Sequence, residues 1–89
     1  MSDQRVKDMQ QSYLDYLDDA VDKARELASE GLRVAAGFVL GSAAALAQQA
    51  ADDLERTGHS HLADELRDEI VRVEGLAQGM VEGEVWEAR

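Results

Sequence analysis

The sequence predicts an all-α protein, a small bundle of helices. Its 89 residues contain no proline, so no position forbids a long helix. Apolar residues recur every three or four positions over most of the chain, whereas no window shows the strict alternation of a strand. A chain of this length supports one hydrophobic core. We therefore expect a single helical domain over residues 1–83, with 84–89 as a frayed C-terminal tail.

The first helix is predicted at about residues 3–30. Ser2 or Asp3 is suited to cap its start, and Gly31 to end it in a left-handed conformation, with Leu32 folding back onto the last turn. The aspartates and glutamates of this segment lie mostly outside its apolar stripe. That stripe consists of Val6, Met9, Tyr13, Leu17, Ala20, Ala24 and Leu27.

The second and third helices are predicted at about residues 32–57 and 60–82. No side chain between Arg33 and Asp52 is charged, which indicates a packing helix that the two acidic helices cover. Gly58 is the expected C-terminal cap of the second helix, and Ser60 the N-cap of the third. The apolar stripe of the third helix consists of Leu62, Leu66, Ile70, Val73, Ala77 and Met80.

A second topology is compatible with the same pattern. Only Gly31 separates the first two helices, a very short connection for a reversal of the chain. If the helix continues through Gly31, residues 3–57 form one long helix and the chain is a hairpin that turns at Gly58. Two such hairpins would pair into a four-helix bundle.

The net charge of the chain limits the kinds of partner that it can bind. Nineteen acidic residues against nine basic ones give a net charge of −10. Such a surface repels nucleic acid and anionic membrane, so we expect a basic protein partner, no direct nucleic-acid contact and no membrane contact. The N-terminus lacks a secretory signal, which favours a cytoplasmic protein. The preference for Arg over Lys, with plentiful Ala and Val, is typical of a GC-rich bacterial or phage gene.

Two groups of residues are candidate interaction sites. An acidic cluster with neighbouring tyrosines is interpreted as a surface that imitates phosphates and binds a basic groove; the alternative is a solvated face. A run of small residues at four-residue spacing is interpreted as a site of homodimerisation; the alternative is an internal packing seam. The first group is Tyr13, Asp15, Tyr16, Asp18, Asp19, Asp22 and Glu26, and the second is Gly37, Gly41 and Ala45.

A third group surrounds the turn at Gly58. Histidine and carboxylate side chains at two helix ends are able to bind a divalent metal ion, although this spacing is not diagnostic and polar turn residues are the simpler interpretation. The candidates are Glu55, His59, His61 and Glu65. Trp86 is either a lid on the bundle or a partner contact. We identify no catalytic residues and expect no cofactor.

The function that the sequence favours is therefore that of a non-enzymatic interaction protein. We expect an acidic helical inhibitor or adaptor that binds a basic partner, such as a phage-type inhibitor of a host defence complex that handles nucleic acid. One alternative is a structural subunit of a homo-oligomeric scaffold. A second alternative is a metal-binding helical hairpin.

Overall fold

The structure, a computed structural model, describes residues 3–82 as three α-helices and no strand. Helix α1 spans Asp3–Ser29, α2 spans Arg33–Arg56 and α3 spans Ser60–Glu82. The all-α prediction is confirmed, with three helices in place of the long hairpin. The expectations for Ser2, the tail 84–89 and Trp86 lie outside the described residues.

Gly31 ends α1 and reverses the chain. Its φ of 85° lies in the left-handed region that glycine adopts without steric cost. The N–H of Leu32 donates to the carbonyl of Leu27 at 2.9 Å, and the N–H of Gly31 donates to that of Ala28 at 3.0 Å. These two bonds form a Schellman motif, which satisfies the last carbonyls of the helix. The predicted cap is confirmed, and the alternative of one helix over residues 3–57 is wrong.

The second turn repeats this arrangement. Gly58 has a φ of 87°, and the N–H of His59 donates to the carbonyl of Leu54 at 2.8 Å. The prediction for Ser60 is wrong by one position, because Ser60 is already the first residue of α3. The carbonyl of His59 accepts the first helical bond, from the N–H of Ala63 at 3.0 Å. His59 therefore takes the position that precedes the helix.

The core lies where α2 meets both other helices, and α1 and α3 contact each other least. The predicted stripe of α3 is buried, apart from a half-buried Ala77. The prediction of the buried stripe of α1 is only partly confirmed. Met9 is exposed, and Val21, which was not predicted, is buried. The largest side chains that the core encloses completely are Leu17, Leu40, Leu54, Leu66, Ile70, Val73 and Met80.

A polar side chain joins α1 to α3 inside this core. Gln10 is only 6% exposed, and its amide nitrogen donates to the carbonyl of Leu62 at 3.1 Å and to Oε1 of Glu65 at 3.0 Å. Both donor hydrogens of the amide thus have acceptors, so the burial of this group is compensated. The sequence pattern gave no reason to place Gln10 in the core.

Among residues 3–82, the other two helices cover only one side of α2. The other two helices bury its inner residues, which include Ala36, Leu40, Ala43, Ala44, Ala47, Ala51 and Leu54. Its opposite side carries Val34 and Phe38, which are 77% and 74% exposed. The expectation that two helices cover α2 is therefore wrong for half of its circumference. Two neighbours of about 10 Å diameter cannot surround a third helix.

Helix α2 also meets the length and composition of a membrane-crossing helix. An 18-residue window within it has a mean hydropathy of 1.4, and 44% of that window is buried in the bundle. The core helix of a bundle and a membrane-spanning helix share these properties. Length and composition therefore leave the environment of α2 open.

Candidate interaction surfaces

The outer side of α1 carries a line of carboxylates. Asp8, Asp15, Asp19, Asp22 and Glu26 follow each other at steps of seven, four, three and four residues, and all five are exposed. These steps keep side chains on one line of a helix, opposite the buried residues of α1. We call these five residues the acidic stripe. It extends over about 27 Å, at a rise of about 1.5 Å per residue.

The acidic stripe keeps its negative charge. Asp15 accepts a hydrogen bond at 3.0 Å from the amide of Gln11, which is a neutral group. Among residues 3–82, the carboxylates of Asp19, Asp22 and Glu26 form no ion pair and no side-chain hydrogen bond. Lys23 lies within one turn of these three groups, but no cation of residues 3–82 lies within ion-pair distance of them, so their charge faces the solvent.

The structure separates the other predicted partner-binding residues from this stripe. Asp18 lies on the side of α1 that faces α3, where its Oδ1 is 3.9 Å from a guanidinium nitrogen of Arg72. Tyr13 is half-buried against the core, and Tyr16 is exposed. Asp8, which the sequence analysis did not include, completes the stripe. Its seven-residue spacing from Asp15 was the signal for it.

A second surface is the outer face of α2, by which we mean the exposed residues Val34, Phe38, Gly41, Ser42, Ala45 and Gln49, with Leu46 at its edge. A Cβ atom added at Gly41 would meet nothing within 4 Å, so no other part of the described chain approaches this glycine. The face contains no charged residue. It lies within residues 34–51, the longest run of the sequence without a charged residue.

Only two of the three predicted self-association residues lie on this face. Gly37 is buried towards the core, whereas Gly41 and Ala45 are exposed. Because 3.6 residues make one turn, each step of four residues advances about 40° around the helix. The run of small residues therefore passes from the core to the solvent. The bulky members of the face, Val34 and Phe38, were missed because no charged residue between Arg33 and Asp52 marks which side of α2 is exposed.

The residues around the second turn are engaged in separate contacts. Arg67 of α3 forms ion pairs with Asp52, at 2.9 Å, and with Glu55. The hydrogen bond from Arg67, with a smaller contribution from Gln48, lowers the pKa of Asp52 below its ordinary value. The same two carboxylates raise the pKa of Arg67. These contacts fasten the end of α2 to α3.

The four candidate metal ligands are not brought together. Nδ1 of His59 is 3.2 Å from the hydroxyl of Thr57, and Glu65 accepts the hydrogen bond from Gln10. Glu55 is paired with Arg67, and His61 is exposed. Within residues 3–82, no three histidine, aspartate or glutamate side chains are close enough to hold a metal ion.

Comparisons with known proteins add no assignment. No protein-family model matches this chain, and no curated protein or solved structure matches it either. The function has to be inferred from the two surfaces, namely the acidic stripe and the outer face of α2.

Proposed function

We propose that this protein acts by binding, as an acidic helical adaptor or inhibitor that inserts the acidic stripe into a basic groove of a partner protein. The observation that supports this function is the acidic stripe itself, with five exposed carboxylates on one line of α1. Proteins that handle nucleic acid contact phosphates through lysine and arginine. A helix that presents carboxylates in a row competes for the same groove.

The spacing of the charges favours binding to a cluster of cations. Asp8 lies about two helical turns before Asp15, whereas from Asp15 to Glu26 neighbouring carboxylates are about one turn apart, roughly 5.4 Å along the axis. This separation is shorter than the Debye length of about 10 Å at 0.1 M salt, so adjacent charges act together on an approaching groove. A partner with a row of lysine or arginine side chains gains from several of these charges at once, which raises the association rate.

The experiment is capture of partners from a bacterial lysate on the immobilised chain, followed by elution along a salt gradient and mass spectrometry. The wild type is compared with the triple variant Asp19→Asn, Asp22→Asn, Glu26→Gln. These three side chains are exposed and form no ion pair or side-chain hydrogen bond within residues 3–82, so the substitutions remove charge and should leave the core packing unchanged. We expect a basic protein that elutes at moderate salt from the wild type and fails to bind the variant.

The matched control removes the same charge from α3. Asp64, Asp68 and Glu74 are exposed and also lie outside the core. The variant Asp64→Asn, Asp68→Asn, Glu74→Gln should retain the partner if the position of the charges matters. Equal loss of binding in both triple variants would show that net charge alone attracts the protein. Binding that both variants and high salt leave intact would refute the proposal.

A further inference from the structure

We propose that the outer face of α2 binds a second copy of this chain, in an antiparallel pair with a two-fold axis near Gly41 and Ser42. This proposal does not depend on the acidic stripe, which lies on another helix. It rests on three properties of the face: its exposed apolar side chains, its lack of charge, and the distribution of bulky and small residues along it.

The face exposes large apolar side chains along one side of a helix. Val34 is 77% exposed, Phe38 is 74% exposed, and Leu46 at the edge is 45% exposed. Residues 34–49 span about 24 Å, and a helix about 10 Å wide then presents roughly 250 Å² of projected surface. The largest exposed apolar patch of a monomer is commonly about 300–600 Å² and often functional, and this face, which includes the polar Ser42 and Gln49, lies near the lower end of that range. Two such faces bury far less than the total of about 1,200 Å² that a stable interface needs, so we expect self-association only at high protein concentration.

Charge favours a second copy over other occupants. Two chains that each carry a net charge of −10 repel each other wherever their acidic surfaces meet. No residue from Val34 to Ala51 is charged, so two copies can meet here without opposing like charges. A helix that lies on a membrane carries lysine and arginine beside its apolar face. The ends of α2 carry three acidic residues, Asp52, Asp53 and Glu55, against the two basic residues Arg33 and Arg56, so the helix as a whole lacks the cationic border that favours an anionic membrane.

The order of the residues makes the face complementary to itself. Phe38 and Ala45 lie at equal distances on either side of the midpoint between Gly41 and Ser42. A two-fold axis through this midpoint places Phe38 of one copy over the small side chain of Ala45 in the other. In such an isologous arrangement the contact between Phe38 and Ala45 occurs twice, once on each side of the axis. Gly41, which has no side chain, lets the two helix backbones approach closely at the crossing point.

The first test measures the mass of the full chain by sedimentation equilibrium, from low micromolar to near-millimolar concentration. We expect the 9.7-kDa chain to reach twice its mass within this range. Added salt should strengthen the dimer, because salt screens the repulsion between two acidic chains. Partner capture by the acidic stripe should weaken under the same change, so the two proposals can fail separately. A mass that stays monomeric at every concentration would overturn the dimer.

The second test places a charge on the face. Phe38→Glu should weaken dimerisation by about 100-fold or more, because the carboxylate would be buried against the second copy. The matched control is Val71→Glu, which adds the same charge at a residue of α3 that is 67% exposed. Circular dichroism checks that both variants remain helical. If both variants dimerise like the wild type, or both lose the dimer equally, the assigned face is wrong.

The third test uses the absence of cysteine from the chain. Ser42→Cys introduces a single thiol next to the proposed axis, where two copies of it come close together. Mild oxidation should then give a covalent dimer, whereas Ser12→Cys, exposed on α1, should give far less. Equal cross-linking at both positions would refute this geometry. Co-sedimentation of the monomer with phosphatidylcholine vesicles, abolished by Phe38→Glu, would assign the face to a membrane instead.

Discussion

Gly31→Ala is the substitution that tests the topology most sharply. Gly31 has a φ of 85°, and a Cβ atom added there would meet nothing within 4 Å. The substitution therefore creates no steric clash with the rest of the described chain. Its effect on stability comes from the backbone alone, since alanine must adopt the left-handed conformation that ends α1.

The expected change in the free energy of unfolding is the difference between two opposing effects of the added Cβ atom. A left-handed conformation costs a residue with a Cβ atom about 1–2 kcal/mol. Alanine restricts the unfolded chain more than glycine does, which returns roughly 0.4–1 kcal/mol. We therefore expect Gly31→Ala to lower the free energy of unfolding by about 1 kcal/mol. In a domain of this size that corresponds to a decrease of roughly 4–8 °C in the melting temperature.

Gly75→Ala is the matched control. Gly75 lies within α3 and has a helical backbone, and its added Cβ atom also meets nothing within 4 Å. Alanine is favoured over glycine inside a helix by about 0.5–1 kcal/mol. The same chemical change should thus raise the melting temperature at Gly75 and lower it at Gly31.

The assay is thermal and urea unfolding followed by circular dichroism at 222 nm. It is run at low concentration in the Phe38→Glu background, so that dimerisation does not add to the apparent stability. If Gly31→Ala raised the melting temperature as Gly75→Ala does, residue 31 would have a helical conformation. That result would restore the single helix over residues 3–57 and refute the three-helix bundle.

Three further predictions concern the core and the second turn. Leu66→Ala should lower the free energy of unfolding by about 2–5 kcal/mol, measured by urea denaturation, because Leu66 is completely buried; a loss below about 1 kcal/mol would contradict its burial. Gln10→Ala should cost about 1–2 kcal/mol in the same assay, because it removes two hydrogen bonds to α3. Since Arg67 lowers the pKa of Asp52, this pair stabilises the fold above pH 3.8, the ordinary pKa of the aspartate, and the stabilisation is lost as the pH falls through the lowered value. Arg67→Gln should raise the pKa of Asp52 in an NMR titration, and an unchanged pKa would contradict the pairing.

The helix boundaries were predictable because local chemistry determines them. Only glycine adopts positive φ without strain, so Gly58 identified the second turn, and Gly31 indicated the first although a helix that continues through it was also compatible with the sequence; the structure gives them φ values of 87° and 85°. The α3 stripe was clear as well, because from Leu62 to Glu74 charged residues occupy most of the positions outside it. The burial of Gln10 was not predictable, since it depends on acceptors that α3 supplies.

The outer face of α2 was not predictable for a related reason. Periodicity identifies the buried side of a helix by contrast with charged residues, and α2 offers no such contrast between Arg33 and Asp52. Alanine occurs on both sides of it, buried at Ala44 and exposed at Ala45. Only the positions of the neighbouring helices distinguish the two sides. The acidic stripe, by contrast, was largely apparent from spacing, although Asp18 had to be moved from it to the α3 side.

The most direct test of the proposed function is an NMR titration of the ¹⁵N-labelled chain with the partner that the capture experiment identifies. We predict that the largest shift changes fall on α1 around Asp15, Asp19, Asp22 and Glu26, and that high salt abolishes them. Shift changes confined to α2 and α3, or changes that persist at high salt, would contradict binding through the acidic stripe.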